Sequence, residues 1–211
     1  LLHKVKGPIH INVPFDEPLY ETVSVMNDFS LIKEESDTEV VIDYENLAQQ
    51  WNSASKKMIL VGVHYPNSAL EILLDKVADD PSVLVLTETT SNLHNKRFIN
   101  SIDNLIFNLT KEEFSNLQPD ILLTFGGLIV SKKIKKFLRD YSPSEHWHIN
   151  ELRAFDTYHV LSKHIKTDSF SFFENFHKLV DFNNNSNYEH HWTHYKNLTR
   201  KKNKQFIKNA I

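Results

Sequence analysis

Between residues 40 and 180 the apolar positions follow two alternating periods. Short unbroken runs at 57–63 (KMILVGV), 82–87 (SVLVLT) and 120–125 (DILLTF) have the pattern of strands covered on both faces. Between them, apolar residues recur three and four apart. Leu47, Ala48 and Trp51 mark a helix over 44–54, and Ser68 is the candidate cap of an amphipathic helix over 69–78. Thr110 opens a short helix over 111–117, with Glu113 placed to complete a capping box. Ser131 precedes a helix in which Ile134, Phe137 and Leu138 form one stripe. Asp168 or Ser169 starts a helix that turns Phe172, Phe173, Phe176, Leu179 and Val180 inward. Short strands are predicted at 146–149 and 158–161, while 101–108 is ambiguous, with Ile102, Leu105 and Ile106 helically spaced. Strands alternating with helices imply an α/β domain: a doubly wound, mostly parallel sheet of five or six strands with helices on both faces.

The flanks are patterned differently. Ile9, Ile11 and Val13 alternate with His10 and Asn12, predicting a short strand closed by Pro14. Residues 16–39 are rich in acids and serine without clear periodicity and read as a linker. A run of asparagines at 183–187 is polar punctuation, and 188–211 is a basic, aromatic helix with few apolar residues of its own. That helix is expected to be a connector rather than part of the core. The opening LLHKVKGPIHINVPF has no initiator Met and no basic–apolar leader pattern, so the expectation is a piece of a longer chain without a secretory signal.

Composition narrows the chemistry. There are no cysteines, which excludes disulfides, thiolate nucleophiles and zinc–thiolate sites. No stretch reaches the roughly 18 apolar residues of a membrane span. The simplest expectation is a cytoplasmic protein. Net charge is -3 but uneven. Residues 131–139 and 196–211 carry eleven of the 24 basic residues and no acids, which leaves 13 basic against 27 acidic residues elsewhere. An acidic body with two basic islands is not a nucleic-acid footprint.

The junction at 119–140, PDILLTFGGLIVSKKIKKFLRD, joins a buried strand to a helix at what would be the sheet's carboxyl edge, where α/β folds bind ligands. Gly126 and Gly127 are explained more simply by a tight turn than by an anion cradle. Lys132 stands nearest the helix N-terminus, and a second, weaker anion contact would fall on Lys136, one turn further along the same face. Lysines in a first turn oppose the macrodipole unless an anion is close. G-x-G-x-x-G, the P-loop and Gly-x-Ser-x-Gly are all absent. His190, His191 and His194 have helical spacing that suits a metal pair, but no His-Glu-x-x-His accompanies them, and no metal site is expected. His146 and His148 read as partly exposed strand residues, and Asp79-Asp80 and Glu112-Glu113 as helix-end caps. No catalytic constellation is visible.

The ordered motifs GPIHINVPFDEPLY, MILVGVHYP, LTETTSNLH and FGGLIVSKKIKKFL resemble a known family. They are similar to the thiamine-diphosphate-dependent enzymes, specifically the menaquinone-pathway synthases that make 2-succinyl-5-enolpyruvyl-6-hydroxy-3-cyclohexene-1-carboxylate. The resemblance implies a Rossmann-like central domain at 40–182, preceded by the tail of a pyrimidine-binding domain at 1–20 and a linker at 21–39. Residues 183–211 would lead towards a diphosphate-binding domain. It also implies a reaction in which 2-oxoglutarate is decarboxylated and added to isochorismate, with thiamine diphosphate and Mg²⁺ as cofactors and a homodimer or homotetramer at full length. The family's lysine that contacts a substrate carboxylate falls on Lys132. The family's Gly-Asp-Gly…Asn cofactor motif has no counterpart, because the sequence contains no Gly-Asp at all. No catalytic, cofactor-binding or metal residue is therefore expected in this chain, and alone it is expected to be inactive. A different class remains open: a non-catalytic Rossmann-type module that binds an anion or nucleotide. A domain that binds RNA through its basic tail is disfavoured by the acidic body.

Overall fold

The computed structural model describes residues 10, 12–14, 41–107, 109–181 and 186–209. The chain divides into two units, Leu1–Glu39 and Val40–Ile211. In the first, His10, Asn12, Val13 and Pro14 lie in neither helix nor strand. Ile9 and Ile11 of the predicted strand, and the predicted linker at 16–39, lie outside the described residues.

The second unit alternates helices and strands. In chain order these are α1 (Tyr44–Ser53), β1 (Lys57–Val61), α2 (Ser68–Val77), β2 (Val83–Thr87), a 3-10 turn (Thr89–Ser91), α3 (Ile102–Ile106), α4 (Lys111–Leu117) and β3 (Ile121–Phe125). Then follow α5 (Lys132–Asp140), β4 (Glu145–Ile149), β5 (Leu161–Ile165), α6 (Ser169–Phe176) and α7 (Tyr188–Asn209). The five strands pair in parallel in the order β2-β1-β3-β4-β5. The doubly wound parallel sheet is as the pattern implied. Because side chains alternate across a strand, Ile59, Val85 and Leu123 face one layer and Met58, Leu84 and Leu122 the other. The first layer is covered by α1, α2 and α6, the second by α3, α4, α5 and α7.

Several local expectations need correction. Asn67, not Ser68, caps α2, accepting from Leu70 N–H at 3.0 Å. The last strand is Leu161–Ile165, and Tyr158 is a buried residue of the loop before it. As an edge strand, LSKHI is half-exposed and carries no continuous apolar run. Helix α6 stops at Phe176, which leaves Leu179 exposed. Asp80 is no helix cap: it is buried and accepts from Lys57 Nζ at 2.8 Å. Helix α7 is more than a connector. Tyr188 and Trp192, one turn apart, are buried in the second layer, and the Tyr188 hydroxyl donates to Leu117 O at 2.9 Å.

Candidate functional site

In this strand order the crevice that α/β folds offer to ligands lies between β1 and β3. Here it is closed by backbone. Gly62 N–H donates to Phe125 O (2.9 Å), Gly127 N–H to Val63 O (2.7 Å) and Val63 N–H to Leu128 O (3.3 Å). A Cβ on Gly62 would meet Gly127 O at 2.1 Å, and Gly126 has φ of +81°. The glycines are needed so that two chain segments can touch. The diglycine amide is used internally, so an anion cradle does not form there, and ligand space opens to either side.

On the β2 side, the start of α5 is held by acids from distant segments. Glu88, just after β2, accepts from the backbone N–H of Val130 (2.8 Å) and Ser131 (2.6 Å). The Ser131 hydroxyl donates to Asp103 of α3 and accepts from Ile134 N–H at 3.1 Å. The anion that a lysine-rich first turn calls for is thus supplied by the protein itself. Reading the sequence missed both acids, although Glu88 lies inside the LTETTSNLH motif.

Four of the five cations of this segment have partners. The Lys133 ammonium lies 3.9 Å from the Phe107 ring centroid. Lys135 donates to Ile129 O (3.1 Å), Lys136 to Asp140 (2.7 Å) and Arg139 Nε to Thr157 O (2.9 Å). Among the described residues, only Lys132 of the five makes no ion pair, side-chain hydrogen bond or ring contact. It is exposed and lines an open groove of about 570 Å³ together with Thr89, Thr90, Asn100 and Asn104. Lys136 lines a separate cleft beside Phe114 and Tyr141, so the two lysines are not brought together.

On the β4 side a cavity of about 400 Å³ opens between the ends of β3 and β4 and the loop carrying Phe155 and Tyr158. Thr124 Oγ1 lies 2.9 Å from His146 Nε2 and 2.8 Å from His148 Nδ1. Of the two histidines expected to be partly exposed strand residues, His148 is half-buried on β4 as expected, whereas His146 is fully buried. His146 is 1% exposed, and its ring packs edge-to-face on Tyr158 at 5.2 Å. Burial, followed by the His148 charge, pushes His146 down to about 4 against a weaker upward pull from Asp156. Burial, followed by the His164 charge, pushes His148 down to about 4 as well.

This sets a pH dependence. Below the ordinary value of 6.5 the unfolded chain binds protons that the folded chain refuses, so this stability is complete above 6.5 and is lost as pH falls towards 4. The loss should be about 1.4 kcal/mol per pH unit for each ring. The lowered carboxylates Glu113 and Glu145 act only below their ordinary 4.5. Denaturant midpoints at pH 7 and pH 5 therefore isolate the imidazoles, and equal midpoints would leave them no part in acid sensitivity.

His190, His191 and His194 are exposed on α7 and share a shallow groove with Asn187. Among the described residues no three His, Asp or Glu side chains converge as a metal site. None of the described helices is long and apolar enough to cross a membrane.

Residues 27–211 match the family described as "Middle domain of thiamine pyrophosphate". The chain belongs to this thiamine pyrophosphate middle-domain family. It is similar to proteins named "2-succinyl-5-enolpyruvyl-6-hydroxy-3-cyclohexene-1-carboxylate synthase". To that of Flavobacterium johnsoniae it is 47% identical over 181 residues, covering 84% of this chain and 33% of the relative. To that of Christiangramia forsetii it is 53% identical over 168 residues, covering 75% and 29%. To that of Phocaeicola vulgatus it is 34% identical over 200 residues, covering 92% and 35%. The chain spans about a third of the length of these relatives. Among the described residues the β1/β3 crevice is filled by backbone, and no group of three metal-holding side chains is present.

Proposed function

We propose that this chain is the central domain of a synthase that decarboxylates 2-oxoglutarate and adds the succinyl carbanion equivalent to isochorismate in menaquinone biosynthesis. Residues 40–182 form that domain, 1–20 end a pyrimidine-binding domain, 21–39 link the two, and 183–211 lead to a diphosphate-binding domain. Thiamine diphosphate, bound through Mg²⁺ by those other domains, supplies the electron sink. This chain contributes structure and one wall of the substrate site and is inactive alone. The full-length protein is a homodimer or homotetramer.

One observation carries the role of Lys132. It alone among the five cations of its segment has no partner among the described residues, and Glu88 and Asp103 fix the turn from which it projects. An ammonium at that place pairs with a substrate carboxylate. In the full-length protein Lys132→Ala is expected to raise KM for a carboxylate substrate about 10- to 100-fold, the size of a lost charge-assisted hydrogen bond. The melting temperature should stay nearly constant, since the side chain is exposed. An unchanged KM removes Lys132 from the site. A second contact through Lys136 would require it to leave Asp140, so Lys136→Ala should raise KM less. The backbone-filled crevice disfavours a nucleotide-binding module, and strong thermal stabilisation by a nucleotide would reverse that preference.

A further inference from the structure

We propose that the LTETTSNLH segment at 86–94 is a clamp that aims Lys132, with Glu88 and Ser91 as positioning residues. The inference rests on the role assigned to Lys132 and adds residues that act on a substrate only through it. Helix α5 does not need Glu88 to begin. Ser131 Oγ accepts from Ile134 N–H at 3.1 Å, which caps the helix by itself. Glu88 instead takes the N–H groups of Val130 (2.8 Å) and Ser131 (2.6 Å), the two residues before the first helical position. Of residues 130–132 only Ser131 is buried, and it is polar. Hydrogen bonds rather than apolar packing therefore set the path into the helix. A carboxylate engaged through both oxygens fixes direction as well as distance.

Glu88 is itself anchored. Its own N–H donates to Ser91 Oγ (2.9 Å), and that hydroxyl gives its single proton to Val61 O at the end of β1 (2.7 Å). Ser91 is fully buried, so this linkage is shielded from water. Asn92, at φ of +52°, turns its amide onto His64 O (2.7 Å), while His64 N–H donates to Thr90 O (3.0 Å). The 3-10 turn is thereby tied to the chain leaving β1. A run of hydrogen bonds leads from Val61 through Ser91 and Glu88 to the residue before Lys132. Because backbone N–H groups occupy both Glu88 oxygens, the carboxylate does not pair with Lys132, and the ammonium is left for a ligand. Small errors of placement weaken such a contact even when every group that meets the ligand is intact.

The test measures KM and kcat of the full-length protein for its carboxylate substrates in Glu88→Gln, Ser91→Ala and Lys132→Ala, and in each clamp variant combined with Lys132→Ala. Gln keeps one acceptor and loses the other, so Glu88→Gln should raise KM about fivefold for the same substrate that Lys132→Ala affects. Ser91→Ala should raise it about two- to threefold. With Lys132 already removed, neither substitution should raise KM further, because residues that act through one group are not additive. A merely structural fault lowers the folded fraction, and with it the apparent kcat, at constant KM. If Glu88→Gln does not fold, Ser91→Ala decides by the same comparison. A KM rise of equal factor with and without Lys132 overturns the clamp. So does an unchanged KM in both clamp variants beside a raised one in Lys132→Ala, a result that leaves the lysine's role standing. An unchanged KM in Lys132→Ala overturns that role and the clamp with it.

Discussion

Asp80→Asn is expected to destabilise the fold by about 3–5 kcal/mol, the usual cost of leaving one member of a buried ion pair alone. Lys57 opens the central strand β1 and is 0% exposed. Its ammonium lies 2.8 Å from Asp80 Oδ2 and 5.6 Å from the Trp51 ring centroid. The other carboxylate oxygen accepts from Ser82 N–H (2.8 Å) and Ser82 Oγ (2.7 Å), which fixes the turn entering β2. Asn keeps the shape and one acceptor but removes the charge that makes a buried ammonium tolerable. Lys57→Met should cost less, because the remaining carboxylate still has both Ser82 donors. The double variant Lys57→Met/Asp80→Asn should recover much of the loss. Urea unfolding of the four proteins at pH 7 gives the coupling directly. If the double variant is as unstable as Asp80→Asn, the stranded charge is not the cause.

What could be read from the sequence, and what could not, follows the range of each interaction. Strands β1 to β3 are legible because both faces are buried and the apolar runs are unbroken. Thr110 with Glu113, and Ser131 before Ile134, are legible because caps act within one turn. Asp80 lies beside a helix end, where local spacing predicts a cap, yet its partner is 23 residues away. Glu88 holds a helix start 43 residues further on, a relation that no local period reports. His146 and His148 look like ordinary alternating strand positions. The loop carrying Tyr158 packs on His146, and the local pattern predicts a strand at 158–161 instead. Of the candidate site, Lys132 was legible through the resemblance, and the structure separates it from its four partnered neighbours. The β3–β4 cavity was not, since its wall gathers residues from 124 to 158 that no motif connects.

Trp192→Ala is expected to cost about 3–5 kcal/mol, the range for emptying a large aromatic site in a core. The cost is unexpected for a helix composed mainly of His, Lys, Asn and Arg, whose exposed face suggests little attachment. Yet Trp192 is 0% exposed, meets Phe137 of α5 edge-to-face at 6.0 Å, and lies one turn from buried Tyr188. Glu189 N–H also donates to Pro81 O at 3.0 Å, tying the first turn of α7 to the turn before β2. These few contacts carry the docking, because the remaining described side chains of α7 are exposed or half-exposed. Trp192→Phe keeps most of the ring contact and should cost clearly less, while exposed His191→Ala should stay within about 0.5 kcal/mol. Urea unfolding measures all three, and limited proteolysis should show new cleavage inside α7 in Trp192→Ala alone. A loss below about 1 kcal/mol for Trp192→Ala would return α7 to the status of a connector. Helix α5 carries Lys132 at its first residue and leans on Trp192 through Phe137, so a loosened α7 should also blur the Lys132 groove.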